Sequence, residues 1–191
     1  LGIAAAFADA GAAVTITGRR ASSADYETDL SRFAYRPLDV TDAAAVAALA
    51  ASLPSLDVLV NNAGANLPGG RSEYEPEVFE ESVRINLFGA YRMASACYEK
   101  LAQSRLDGGA SVVNLASMAS YFGVTAVPGY GAAKAGIVQM TKTLAVAWAS
   151  KGIRVNAVAP GLTRSNMTAR IQGLPDFTRR DFERMPLGRW G

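Results

Sequence analysis

The sequence predicts an α/β fold, a doubly wound parallel sheet in one domain, and three observations predict it. Short β-branched runs alternate with longer helical stretches along the 191 residues, the pattern of βαβ units. The strands read as continuous apolar runs, as expected where both faces of a sheet are covered. No repeat or low-complexity linker interrupts the chain, and its length suits a single domain over residues 1–191 with a sizeable core.

Each element has a local reason. A small apolar stretch over 1–10 has helical spacing, and Gly11 stops it. Residues 13–17 form a strand that Gly18 ends, and residues 36–40 close a second short strand. Thr41 caps an alanine-rich helix over 42–52. Residues 57–60 form a strand that runs into Asn61-Asn62-Ala63-Gly64. One long helix covers 76–103, with Pro76 in the first turn, where a missing N–H costs nothing. A strand over 110–115, a helix over 130–150 and a strand over 152–158 follow, closed by Pro160-Gly161. In open parallel sheets ligands sit beyond the carboxyl ends of the strands. That rule points to Gly18, Arg19 and Arg20, to Asp39, to 61–64, to Ser117 and to 160–163.

Composition removes whole classes of chemistry. There is no histidine, so Ser-His-Asp and Cys-His nucleophile systems are excluded, as are zinc sites of His and Cys; no metal is expected. Acid–base chemistry must run on Tyr, Lys, Asp, Glu or Ser. The single cysteine, Cys97, can form no internal disulfide; it reads as a packed thiol and points to the cytoplasm. Nineteen basic against 17 acidic residues leave +2, too little for a nucleic-acid partner. Arg164, Arg170, Arg179, Arg180, Arg184 and Arg189 cluster mildly, but Asp176, Asp181 and Glu183 interleave, as on a solvated or oligomer-facing helix. No apolar run approaches the ~20 residues of a membrane span. The apolar start lacks a basic segment and is cut by Asp9, unlike a signal peptide.

The sharpest pattern is Tyr130-Gly-Ala-Ala-Lys134, whose spacing puts both side chains on one helical face. It opens a helix after a Gly/Pro loop, with Ser117 thirteen residues upstream at a strand end. A tyrosine with a pKa of about 10 is a poor base at neutral pH, and a neighbouring ammonium favours its phenolate. A serine hydroxyl can hold a substrate oxygen while the tyrosine takes or gives the proton. Such a trio suits an alcohol being oxidised or a carbonyl being reduced. It needs a hydride carrier from outside.

With these residues the sequence resembles the short-chain dehydrogenase/reductase family, in particular its 3-oxoacyl-reductase-like members. Five ordered motifs carry the resemblance over nearly the whole chain. They are Asn61-Asn62-Ala63-Gly64, Asn86 within Arg84-Ile85-Asn86-Leu87, Asn114-Leu115-Ala116-Ser117, Tyr130 with Lys134, and Val155-Asn156-Ala157-Val158-Ala159-Pro160-Gly161. The resemblance implies a Rossmann-like sheet carrying both cofactor and substrate sites. It implies Tyr130 as acid/base, Lys134 lowering the Tyr130 pKa and binding the nicotinamide ribose, Ser117 polarising the substrate oxygen, and Asn86 holding a water in a relay to Lys134. Asp39 and Val40 would contact the adenine; Asn62, Ala63 and Gly64 would line the cleft. Pro160 and Gly161 would lie beside the nicotinamide. Thr163 and Ser165 would face its carboxamide, Ser165 replacing the usual threonine. Asn61 reads as structural. The two long helices imply a homodimer or homotetramer.

An acid at the end of the second strand of the family pattern would bind the NAD ribose and repel a 2′-phosphate. This chain has Thr17-Gly18-Arg19-Arg20 there, which predicts NADP, with Arg19 as phosphate partner and Arg20 assisting. Leu1-Gly2 matches only the end of the family's glycine fingerprint. The expectation is therefore a piece of a longer protein, lacking the first strand, a C-terminal strand and most pyrophosphate donors except those near Gly2. Substrate shape should depend on 66–72, 120–128 and 164–184, including Tyr121, Phe122, Met167, Ile171, Leu174 and Phe177. A 3-oxoacyl thioester, a polyol or a steroid all fit. Two other readings are a non-catalytic nucleotide-binding or oligomer-partner protein and a halohydrin-dehalogenase-like lyase. The lyase would carry Arg in place of Lys134.

Overall fold

A computed structural model describes residues 1–169, 172, 182–183 and 185–191. The helices are α1 (Gly2–Asp9), α2 (Ala43–Ser52), α3 (Pro76–Val83), α4 (Gly89–Ala102) and α5 (Pro128–Trp148). The strands are β1 (Thr15–Gly18), β2 (Ala34–Pro37), β3 (Val58–Asn61), β4 (Ala110–Leu115) and β5 (Ile153–Val158). The expected Arg170, Ile171, Leu174, Asp176, Phe177, Arg179, Arg180, Asp181 and Arg184 lie outside the described residues.

Every strand pairing is parallel, as the alternation predicts. The strands form two sheets rather than one: β1 pairs with β2, and β3-β4-β5 form a separate ladder. Among the described residues β1 and β3 each keep one edge without a strand neighbour. One of the two buried clusters still joins both halves. Leu38 after β2, Leu59 on β3, Val112 on β4 and Val155 on β5 share a buried cluster with Val46, Met93, Leu101 and Leu144 from the helices. Each such side chain contributes about 1.5–3 kcal/mol by leaving water.

Three of the differences from the sequence reading have a clear local reason. β2 ends at Pro37 because Asp39 turns the chain, its Oδ1 accepting from Thr41 N at 2.8 Å and Thr41 Oγ1 at 2.7 Å. That engagement takes Thr41 away from α2; Asp42 caps the helix instead, accepting from Ala44 N and Ala45 N. The single helix over 76–103 is interrupted by a π-helical turn, Arg84–Phe88, between α3 and α4. Extra residues in a π turn rotate the side chains beyond it, and such turns recur at functional sites. Gly11 closes α1 at φ +88°, and Gly152 takes φ +69° before β5, a region in which other residues are strained. Among the described residues no helix is long and apolar enough to cross a membrane.

Candidate active site

The chemistry converges where β4 ends. Ser117, just past β4, caps a short 3-10 turn, Met118–Ser120: its Oγ accepts from Ala119 N at 3.1 Å, and Ser120 Oγ accepts from Ser117 N at 3.2 Å. Ser120 thus holds the Ser117 backbone. With one Oγ lone pair engaged by Ala119 N, the Ser117 hydroxyl is left to donate to the Tyr130 oxygen. α5 brings up Tyr130 and, one turn on, Lys134. Lys134 is 5% exposed, and its Nζ lies 5.5 Å from the Tyr130 ring centroid and donates to Leu115 O at 2.5 Å.

Burial dominates the electrostatics. It pushes Lys134 down from 10.5 to about 8, so the ammonium persists at neutral pH and is lost in mild alkali. Burial also raises Tyr130 above its ordinary value of 10.0; a hydrogen bond from Ser117 opposes the rise, and the Glu73 carboxylate adds to it. The expected lowering by Lys134 is not the net result, because desolvation of the phenolate outweighs the favourable contacts. Tyr130 in this setting is a protonated phenol at neutral pH.

Asn86 sits in the π turn and is buried. Its Nδ2 donates to Ala65 O at 2.6 Å and Ser82 O at 2.9 Å, and its Oδ1 accepts from Ala65 N at 3.2 Å. These bonds clamp the loop after β3. Gly64 makes the approach possible: a Cβ there would lie 2.6 Å from Asn86 Oδ1 and 3.8 Å from Lys134 Nζ. Asn86, Gly64, Lys134, Tyr130 and Ser117 are therefore one cluster. Asn62, Ala63 and Gly64 are open to solvent beside it. Pro160 joins it through its carbonyl, which accepts from Met118 N at 3.2 Å.

A second group lies at the ends of β1 and β2. Tyr26 and Tyr35 have their hydroxyls 3.3 Å apart, and Tyr35 Oη donates to Arg20 O at 2.5 Å. The Arg20 guanidinium stacks 4.7 Å from the Tyr26 ring centroid. Gly18 leaves room for the Tyr26 hydroxyl, which a Cβ would displace. Arg19 is exposed and close enough to Asp39 to help lower its pKa, although the Thr41 hydrogen bonds contribute more. Val40 points away from solvent, packing where a Cβ on Gly89 would lie 2.7 Å from its Cγ2. This contact links the β2 exit to the start of α4, just past Asn86. Gly2 opens α1 with no side-chain cap and no acid in the first turn. Gly161, Thr163 and Ser165 are exposed, Thr163 and Ser165 bonding locally to Thr168. Among the described residues no hydrogen bond joins them to the Tyr130 cluster.

Two features escaped sequence reading. A buried chain runs from Asn61 Nδ2 to Asn114 Oδ1 (2.9 Å), from Asn114 Nδ2 to Thr141 Oγ1 (2.9 Å) and from Thr141 Oγ1 to Ile137 O (2.7 Å). It ties β3 to β4 and β4 to α5, and it agrees with a structural Asn61. The other is Glu73, 1% exposed, whose Oε2 accepts from Tyr130 N at 2.8 Å. Its partner is 57 residues away, and no spacing in the chain announces such a contact.

Among known proteins, the family model described as enoyl-(acyl carrier protein) reductase matches residues 1–191. The chain is 31% identical over 164 residues to 2-dehydro-3-deoxy-D-gluconate 5-dehydrogenase of Dickeya dadantii, 84% of this chain and 64% of that protein. It is 32% identical over 197 residues to 3alpha-hydroxysteroid dehydrogenase of Mediterraneibacter gnavus, 97% of this chain and 76% of that protein. The crystal structure of gluconate 5-dehydrogenase from Burkholderia cenocepacia in complex with NADP and tartrate superposes with a TM-score of 0.85. Its identity is 28%, over 99% of this chain and 76% of that one. The chain thus spans less than two thirds of the Dickeya relative. With the parallel strands, the Tyr130–Lys134 helix and a family model covering every residue, the chain belongs to the short-chain dehydrogenase/reductase family.

Proposed function

We propose that the chain is the body of an NADP-dependent oxidoreductase that transfers a hydride between nicotinamide and a secondary alcohol or ketone. The observation that carries this reading is the convergence of Ser117, Tyr130 and Lys134 beyond β4. When bound, the nicotinamide supplies or accepts the hydride. Ser117, its oxygen already held by Ala119 N, donates to the substrate oxygen. Tyr130 gives its phenol proton to that oxygen in reduction and takes it back in oxidation. Lys134, held by Leu115 O, keeps a positive charge beside the ring and would hold the nicotinamide ribose. Asn86 would hold a water that relays protons to Lys134, a role supported by both side chains bordering Gly64. A halohydrin-dehalogenase-like chemistry is disfavoured by Lys134 itself.

The donors present fit the cofactor. The uncapped first turn of α1 at Gly2 suits a phosphate. Arg19 suits the 2′-phosphate, with Arg20 assisting. Asp39 and Val40 would border the adenine. Asn62, Ala63 and Gly64 would line the cleft, and Pro160, Gly161, Thr163 and Ser165 the nicotinamide side. The NADP in the Burkholderia structure supports this choice over NAD. The substrate is a small carbonyl or alcohol, and the sugar-acid dehydrogenases among the relatives put polyhydroxy ketoacids first for testing. We further place the enzyme in the cytoplasm as a homodimer or homotetramer. Exposed Phe88, Tyr91 and Val146 on the α4 and α5 region support the assembly.

The test is NADPH consumption over a panel of sugar-acid, steroid and 3-oxoacyl carbonyls, with Tyr130→Phe as control. Turnover lost in the variant is the expected result. Nucleotide binding without turnover on any carbonyl would favour the non-catalytic reading, and tighter NADH than NADPH binding would overturn the cofactor assignment.

A further inference from the structure

Glu73 lies between β3 and α3 with its carboxylate almost sealed from solvent, 1% exposed. A buried carboxylate is costly unless its oxygens are satisfied. Three donors satisfy this one. Oε1 accepts from Leu67 N at 2.9 Å and Ser82 Oγ at 3.1 Å, and Oε2 accepts from Tyr130 N at 2.8 Å. Among the described residues no Lys or Arg forms an ion pair with it.

The Tyr130 bond fills a specific deficit. α5 has no cap of its own: Val127 at the N-cap position offers no side-chain acceptor, and Pro128 at the first position has no N–H. Tyr130 N is one of the orphan donors of the first turn. Glu73 meets it from a distant loop, with its charge at the positive end of a 21-residue helix. The close approach depends on Gly129, where a Cβ would meet Phe79 O at 3.0 Å, Phe79 Cα at 3.1 Å and Glu73 Oε2 at 3.2 Å. The same carboxylate holds Ser82, whose carbonyl accepts from Asn86. One buried group therefore touches the backbone of the acid/base residue and the turn that fixes Asn86.

We propose that Glu73 is a positioning residue of the active site, its carboxylate fixing Tyr130 by capping the catalytic helix from across the molecule. The inference rests on the proposed role of Tyr130. It also sets an electrostatic expectation. The groups facing the Tyr130 phenol are Ser117 from the β4 exit, Lys134 on α5 and Glu73 from the loop before α3. Of these, Glu73 is the one that disfavours the phenolate.

The experiment compares Glu73→Gln and Glu73→Asp with the unaltered full-length protein. It measures kcat and KM for NADPH-dependent reduction, thermal unfolding, and the Tyr130 titration by NMR of 13Cζ-labelled tyrosine, assigned with Tyr130→Phe. Glu73→Gln should fold, lose about tenfold in kcat with KM little changed, as expected for a misplaced catalytic group, and shift the Tyr130 midpoint downward. Glu73→Asp keeps the charge and should lose kcat while leaving the midpoint near its original value. A folded Glu73→Gln protein with unchanged kcat and an unchanged midpoint would overturn the proposal. If both variants unfold, the carboxylate is a folding determinant and the positioning role is likewise overturned. The NMR midpoint reads Glu73 even if Tyr130→Phe retains turnover, so failure of the catalytic assignment is separable from failure of this one.

Discussion

The two halves of the proposed site are built differently. The Tyr130 centre rests on a three-stranded ladder, and its supports are buried and distant in sequence: Asn61 with Asn114, Asn86 with Ala65, Glu73 with Tyr130. The Arg19 edge rests on two strands, and its contacts are exposed or short-range: Asp39 with Thr41, Tyr35 with Arg20, Tyr26 with Arg20. The difference matches what each half would do in the proposed reaction. Proton transfer demands a geometry held to fractions of an ångström, which only interlocked buried contacts supply. Binding one phosphate demands a charge in the right place, and an exposed arginine supplies that at low structural cost.

The largest effect tests the centre directly. Tyr130→Phe removes one hydroxyl and should lower kcat by about 10²–10⁴-fold while leaving NADPH affinity unchanged, measured by steady-state kinetics and fluorescence titration. Comparable turnover in the variant would mean that the centre does no proton transfer.

The next effect tests the scaffold beneath it. Asn114→Ala strands Asn61 Nδ2 and breaks the link to Thr141 in a region where Asn114 is fully buried. The expected cost is about 3 kcal/mol in chemical denaturation, from an unsatisfied buried donor plus a cavity. No residue at the Arg19 edge should approach that value.

Lys134→Met separates function from stability within the centre. Lys134 sits at about 8 when folded against 10.5 ordinarily. The unfolded chain therefore binds more protons between those values, and wild-type stability rises with pH through that window. Below pH 8 both states carry the proton and the burial penalty is complete. Methionine removes a penalty of about 3 kcal/mol and strands the Leu115 carbonyl at about 1 kcal/mol, leaving about 2 kcal/mol of net stabilisation at pH 7. The advantage should fade as pH rises from about 8 to 10.5, while activity is lost throughout. A pH-independent stability difference would sink this account.

What was legible in the sequence divides along the same line. Periodicity exposed the strands and helices, and the spacing of Tyr130 and Lys134 survived because one helical turn is a local quantity. The cap of α2 was misplaced by one residue because Thr41 and Asp42 are both good caps; only the Asp39 bonds decide between them. The π turn at Asn86 leaves no mark in an apolar pattern that runs on through it. Glu73 was invisible because its three partners come from a loop, α3 and α5.

The smallest predicted effect sharpens the Arg19 edge, where two neighbouring arginines have unequal freedom. Arg20 is stacked on Tyr26, and its carbonyl accepts from Tyr35, so its backbone and head group are already committed. Arg19 is exposed, engaged by no hydrogen bond among the described residues, and close enough to Asp39 to help lower that carboxyl's pKa. Arg19→Ala should therefore weaken NADPH binding about tenfold, roughly 1.4 kcal/mol, with NADH binding unchanged. Arg20→Ala should do less, because a guanidinium held on an aromatic face has less reach toward a phosphate. The Arg19 contribution should shrink as salt is raised, since an exposed charge pair is screened within about 10 Å at 0.1 M, whereas the kcat loss in Tyr130→Phe should not. Calorimetric titrations of both nucleotides at two ionic strengths decide the matter. An Arg20→Ala loss exceeding that of Arg19→Ala would mean that the tyrosine pair presents Arg20 to the phosphate rather than withholding it.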